Sequence, residues 1–214
     1  MFDSCIELKY SNDDEWHKIR SNKIGGSDSS SLMGRNEYKN NVELWAEKTG
    51  RVKAKDISDK PAIIKGKQSE PLLLELFKIK HPDWKIYSPE VTYQSKEYPF
   101  MIANLDGIAE TPSGIIGIEI KTTSIRRWDE WKNDIPMHYY CQVLHYMTVT
   151  GIQKFILFAM IDYINYEGEN TTFLKEYNIM LDINDQAKLI KEETDFYNYI
   201  LKDEKPPLKI ILKA

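Results

Sequence analysis

Asp106, Glu119 and Lys121 are the residues of this chain best suited to chemistry. Twelve residues separate Asp106 in Leu105-Asp106-Gly107 from Glu119 in Ile118-Glu119-Ile120-Lys121. Alternation along a strand puts Glu119 and Lys121 on one face and Ile118 and Ile120 on the other. Thr111-Pro112-Ser113-Gly114 predicts a turn, and a hairpin through it brings Asp106 beside Glu119. Two carboxylates on adjacent strands make a hard-oxygen site suited to Mg²⁺ or Mn²⁺. A lysine next to them can hold an attacking water or neutralise charge developing on a phosphate. Phosphodiester hydrolysis needs these groups, because its transition state concentrates negative charge. Taken alone, a Glu-x-Lys on a strand is equally a surface hairpin with an ion pair.

Two further groups add weight to the catalytic reading. Glu70, in Gly66-Lys67-Gln68-Ser69-Glu70, sits on a predicted helix just before an apolar run, where it either points into a cleft or lies in solvent. Gln142 and Tyr146 are four apart and share a helix face. An amide and a phenol there can orient a phosphate or the lysine; the plainer alternative is a polar pair on an amphipathic helix. Other chemistries find no footing. His17, His81, His138 and His145 lack zinc-ligand spacing, there is no phosphate-binding glycine-lysine loop for ATP, and Cys141 reads as core.

The elements that must position these groups can be read from period and caps. Ser11-Asn12 opens a short helix through Trp16 to Arg20, with Asp13, Asp14 and Glu15 in its first turn. Gly25-Gly26 breaks the chain, and Ser27 caps a second short helix ending near Gly34. Asn41 caps a third, stopped by Gly50, and the polar stretch 51–60 reads as a loop. Pro61 opens a long helix with the apolar face Leu72, Leu73, Leu76 and Phe77, ended by His81-Pro82-Asp83. The period then changes: Val91–Gln94, Phe100–Leu105 and Ile115–Thr122 read as strands. Met137–Thr150 is helical, Lys154–Ile161 is a buried central strand, Phe173–Met180 is another strand, and Asn184 starts a last helix through Leu201. Helices first, then a meander, then strand-helix-strand, predict an α/β fold: a central mixed sheet with helices on both faces. The whole of 1–214 is expected to be one domain, with a helical N-terminal part (about 11–80), a sheet core (about 84–180) and a C-terminal helix and tail (184–214).

Composition agrees with a folded enzyme. A 42% hydrophobic and 12% aromatic content excludes disorder, and no apolar run approaches a membrane span. Cys5 and Cys141 fit neither a disulfide framework nor a zinc site, and the N-terminus lacks a signal-peptide pattern, so a cytoplasmic protein is expected. The net charge of −4 is unevenly spread. Lys18 to Lys67 holds 12 Lys/Arg against 6 Asp/Glu, a local +6, which leaves −10 on the remainder. A basic N-terminal third can bind phosphates locally; it can equally be a solvated helical surface.

Glu70, Asp106, Glu119-x-Lys121 and Gln142-x-x-x-Tyr146, in that order, resemble the motif set of PD-(D/E)XK nucleases related to RecB and Cas4. Trp16-His17-Lys18-Ile19-Arg20, Ile24-Gly25-Gly26-Ser27 and Leu44-Trp45-Ala46-Glu47-Lys48-Thr49-Gly50 resemble the YqaJ-type viral recombinases and phage lambda exonuclease. The likeness runs from about residue 14 to 160. It departs from the superfamily pattern at Leu105, where the motif has a proline that is not a ligand. The resemblance implies 5′→3′ digestion of linear duplex DNA, leaving 3′ overhangs for phage-type single-strand-annealing recombination in a bacterial host cytoplasm. It also implies a ring-shaped trimer and a single-strand DNA annealing protein as partner. It assigns the metal, Mg²⁺ with Mn²⁺ as substitute, to Asp106, Glu119, the Ile120 carbonyl and Glu70, the last directly or through water. It places the 5′-terminal phosphate on Arg20 and Ser27, where a guanidinium fork and a helix start both favour anions. The alternatives are an endonuclease of restriction or Cas4 type, although two cysteines cannot supply the four ligands of a Cas4-type iron–sulfur cluster, and a non-catalytic DNA-binding or assembly module.

Overall fold

A computed structural model describes residues 2–129 and 131–209. In chain order the elements are β1 (Cys5–Leu8), α1 (Asp13–Arg20), β2 (Ile24–Gly25), α2 (Gly26–Leu32), α3 (Asn41–Lys48), α4 (Pro61–Lys80), β3 (Lys85–Tyr87), β4 (Thr92–Ser95), β5 (Met101–Ala103), β6 (Gly107–Thr111), β7 (Gly114–Ile125), α5 (Met137–Thr150), β8 (Lys154–Ile164), β9 (Asn170–Met180) and α6 (Ile183–Leu201). The expected mixed α/β architecture is present, distributed over two mixed sheets. The larger has order β3-β6-β7-β8-β9, with β7 and β8 parallel and the other pairs antiparallel. The smaller, β1-β4-β5-β2, was not legible in the sequence. Its strands β1 and β2 have four and two residues, too few to show a period.

Helices cover both faces of the larger sheet. On one face Leu73, Leu74 and Phe77 of α4 pack against Ile118, Ile120, Ile156 and Phe158. On the other, Val143, Leu144 and Met147 of α5 pack against Leu157, Ala159 and Ile161, with Leu189 of α6 joining them. β8 lies between β7 and β9, and the whole of Phe155–Phe158 is buried, as its apolar run requires. Gly151, at φ 75°, takes the left-handed position that ends α5. Cys5 and Cys141 are both free and buried. Among the described residues no helix is long and apolar enough to cross a membrane.

The differences from the sequence reading are local. Asn40, rather than Asn41, caps α3, accepting from the backbone N–H groups of Val42 and Glu43. Asn41 reaches instead to the Pro207 carbonyl at 2.8 Å. Ser27 is the second residue of α2, whose cap is Gly25; Asp28 closes the cap by accepting from the Gly25 N–H at 3.0 Å. On α4, Leu72 is 71% exposed and Leu74 is buried in its place. The segment read as one strand over Phe100–Leu105 is β5 alone. The chain leaves the small sheet after Ala103, crosses at Asn104-Leu105-Asp106 and enters the large one as β6.

Candidate active site

The site forms where β7 outruns its neighbour. Pairing of β6 with β7 ends at Gly107↔Ile118, while β7 continues to Ile125 alongside β8. Beyond Ile118, one edge of β7 therefore has no strand partner among the described residues. Asp106, immediately before β6, fills the start of this gap: its Oδ2 accepts from the Ile120 N–H at 2.8 Å. Both backbone groups of a strand residue project to the same edge, so the Ile120 carbonyl also faces the gap.

Glu119 projects toward α5 and is 1% exposed. Its Oε1 accepts from Gln142 Nε2 at 2.7 Å and pairs with Lys121 Nζ at 2.6 Å. Gln142 Nε2 also donates to the Tyr146 hydroxyl at 2.8 Å. The Lys121 ammonium lies 5.2 Å above the Tyr139 ring. The structure thus draws Asp106, Glu119, Lys121, Gln142 and Tyr146 into one connected group. Glu70 stands at its mouth: the residue is solvent-exposed, yet its carboxyl feels the charges of Asp106 and Lys121.

The electrostatics are those of crowded carboxylates. Burial, then the charge of Asp106, pushes Glu119 up to about 8, with Lys121 opposing. Burial likewise raises Asp106, against the pull of Lys121, the Ile120 N–H and a side-chain hydrogen bond with Glu119. Partial desolvation of its carboxyl, then Asp106, raises Glu70 to about 6. Burial alone would lower Lys121, but Glu119 and Asp106 outweigh it and hold the ammonium above its ordinary range. Burial also raises the Tyr146 phenol well above its ordinary value, and Glu119 and Asp106 add to the shift.

One atom stands out. Glu119 Oε2 is buried and has no hydrogen-bond partner among the described residues, and the Asp106 carboxyl is near enough for its charge to raise Glu119. Two buried carboxylates this near each other need a proton or a cation to offset their charge. The donor set around them (Asp106, Glu119 Oε2 and the Ile120 carbonyl) is all hard oxygen. Among the described residues no three acidic, His or Cys side chains converge into a complete cage. Mg²⁺ does not need one, since it is usually held by one or two carboxylates and keeps several waters. The residues fit such a cation, with Glu70 further out.

The charge of Arg20 reaches Tyr146 of this group, and Ser27 directly follows Gly26, which packs on Tyr146 and Gln142. Arg20 Nη1 donates to Asn104 Oδ1 at 3.1 Å, and the guanidinium sits 4.5 Å from the centroid of the Trp16 ring. Gly25 leaves room for it: a Cβ there would stand 3.2 Å from Arg20 Nη2. Ser27 is exposed on α2. The preceding Gly26 is pressed onto α5, where a Cβ would come within 2.4 Å of the Tyr146 ring and 3.1 Å of Gln142. The Gly-Gly pair provides space for close packing at ordinary negative φ, rather than a left-handed bend. Two participants escaped the sequence reading. Asn104, two residues before Asp106, ties Arg20 to the loop carrying the first carboxylate, and no spacing or periodicity announces it. Tyr139 stands three residues before Gln142, near the same helix face, and that spacing was the available signal.

Comparison with known proteins places the chain in a family. The profile of the YqaJ-like viral recombinase domain matches residues 15–153. The uncharacterized protein YqaJ of Bacillus subtilis (strain 168) is 32% identical over 187 residues, covering 86% of this chain. The chain spans about half the length of that relative, 55%. Two solved structures share the fold. An alkaline exonuclease from Laribacter hongkongensis, also solved in complex with dAMP, superposes with a TM-score of 0.68 at 17% identity, over 89% of this chain and 93% of that one. A phage related exonuclease from Haemophilus somnus 129PT gives 0.60 at 15% identity, over 85% and 96%.

Proposed function

The chain belongs to the YqaJ-like viral recombinase family, and from that premise we propose that it is a Mg²⁺-dependent deoxyribonuclease that digests linear duplex DNA from its 5′ ends. The observation that carries the reading is the buried Glu119 Oε2 without a hydrogen-bond partner, on a carboxylate that feels the charge of Asp106 at the open edge of β7. Mg²⁺, or Mn²⁺ in its place, would be held by Asp106, Glu119 and the Ile120 carbonyl, with Glu70 direct or through water, and would supply positive charge to the phosphate. The protein's own groups do the rest. Lys121, fixed by Glu119 and the Tyr139 ring, presents a permanent cation to the scissile phosphate and its attacking water. Gln142 holds the Glu119 carboxylate in one orientation and is itself steadied by Tyr146.

Arg20 and Ser27 take the terminal phosphate. Asn104 and Trp16 hold the guanidinium from two sides, and its fork of N–H donors suits phosphate oxygens. A terminal phosphate carries more negative charge than an internal diester, so this pair selects ends. The remaining features extend the family likeness: 3′ overhangs for single-strand-annealing recombination, a ring-shaped trimer, an annealing protein as partner, a bacterial host cytoplasm, and 1–214 acting as one nuclease domain.

The test is digestion of linear duplexes with 5′-phosphate or 5′-hydroxyl ends, with and without Mg²⁺. We expect Mg²⁺-dependent release of mononucleotides and a roughly ten- to hundredfold preference for the phosphate, the range of a charge-assisted hydrogen bond. Arg20→Ala should erase most of that preference by slowing only the phosphorylated substrate. Cutting of closed circular DNA would replace this reading with an endonuclease. Binding of DNA by folded protein without cleavage would replace it with a non-catalytic module.

A further inference from the structure

Glu193 and His145 are both fully buried, and neither belongs to the hydrogen-bonded group around Glu119. Glu193 belongs to α6, outside the stretch matched by the family profile. Both of its carboxylate oxygens lie 2.9 Å from His145 Nδ1. Ser29 Oγ, on α2, donates to its Oε1 at 2.6 Å. The other face of the imidazole is held as well, with Nε2 2.9 Å from the Ile102 carbonyl of β5. A carbonyl oxygen only accepts, so Nε2 carries a hydrogen, and a proton lies between Nδ1 and the Glu193 carboxyl group. Burial disfavours the charged imidazolium, and Glu193 favours it more strongly, so His145 is held above its ordinary value.

A fully buried ion pair is a weak source of stability, because desolvation consumes most of its attraction. Its position suggests another use. Ser29 lies two residues beyond Ser27, and His145 immediately precedes Tyr146. The three-way contact therefore clamps α2 to α5 one turn from the place where Gly26 touches Tyr146 and Gln142. We propose that Glu193 is a positioning residue: through Ser29 and His145 it fixes α2 against α5, and so sets the separation between the Arg20/Ser27 phosphate pair and the carboxylates of the site. The functional half of this inference rests on the end-recognition reading above; the structural half does not.

Glu193→Ala and Glu193→Gln in the full chain separate the possibilities. Glutamine can keep the clamp: its carbonyl accepts from Ser29 and its amide donates to a neutral His145, which still donates to Ile102. Alanine removes it. In Glu193→Ala we expect amide exchange in α2 to rise about tenfold or more while β7 stays within about twofold. The preference for 5′-phosphate ends should fall about fivefold or more, with the rate on 5′-hydroxyl ends within about threefold of wild type. Glu193→Gln should stay near wild type in both. If Glu193→Ala does not fold, Ser29→Ala, which removes one tie, should give the same pattern at smaller amplitude. Unchanged α2 exchange, parallel loosening of α2 and β7, or a glutamine variant as impaired as alanine would each overturn the proposal. A wild type without phosphate preference rejects the end-recognition reading instead, and the exchange measurement then decides the clamp by itself.

Discussion

Replacing Gly26 by alanine tests the packing on which the site depends. A Cβ at this position would lie 2.4 Å from Tyr146 Cε1, 2.9 Å from its Cζ and 3.1 Å from Gln142 Cγ. Carbon atoms prefer about 3.5–4.0 Å, so more than 1 Å must be found. Tyr146 cannot swing aside cheaply, since it is buried and its hydroxyl accepts from Gln142. Overpacking of this kind costs about 1–3 kcal/mol. The gain from alanine over glycine in a helix, about 0.5–1 kcal/mol, offsets part of it. The net loss, up to about 2.5 kcal/mol, lowers the melting temperature by up to roughly 10 °C in a chain of this size. Gln142 bridges Tyr146 to Glu119, so the displacement reaches the carboxylate, and single-turnover cleavage should fall by about 10–10². Gly25→Ala is the control. Its φ of −105° suits alanine, and the Cβ would meet only the end of the Arg20 side chain at 3.2 Å. Its melting temperature should match wild type while the 5′-phosphate preference shrinks. An alanine at 26 that raises the melting temperature, as helical Gly→Ala changes commonly do, and cleaves at the wild-type rate would refute the argument.

Asp106→Ala should abolish cleavage and leave the circular dichroism spectrum intact; a folded variant with wild-type activity would remove Asp106 from the site. Lys121→Ala should lower turnover of bound DNA by about 10²-fold, by analogy with deleting one transition-state donor, with little change in DNA affinity. Weakened binding with unchanged turnover would make Lys121 an anchor only. In metal-free buffer, stability should fall as pH rises from about 4.5 to about 8. Glu119 binds its proton more tightly folded, at about 8, than unfolded, where its ordinary value is 4.5, so the folded state holds the extra proton across that window and loses it at the top. Melts of wild type and Glu119→Gln in chelator should diverge over this range, and identical pH slopes would show that Glu119 is not buried against Asp106 as described.

The sequence by itself determined what short-range periodicity controls. Strand alternation fixed that Glu119 and Lys121 share a face and that Ile118 and Ile120 pack on the other, where α4 covers them. A turn at 111–114 placed Asp106 opposite Glu119, and a four-residue helical spacing put Gln142 next to Tyr146. Where two local signals competed, the structure chose. Ser27 could cap a helix, but Asp28 closing on Gly25 moved the start two residues earlier. The leucines of α4 could bury either of two overlapping stripes, and contact with β6, β7 and β8 selected Leu73, Leu74 and Phe77. Other features depended on tertiary structure alone: Asn104 holding Arg20 across 84 positions, Ser29 meeting Glu193 across 164, and the crossing between sheets at 104–106. These contacts join residues of ordinary type at no fixed spacing. Nothing within a turn of helix or a run of strand distinguishes an asparagine or glutamate that will be buried against a distant partner from one in solvent, because the difference in free energy arises only when the packed layers remove both from water.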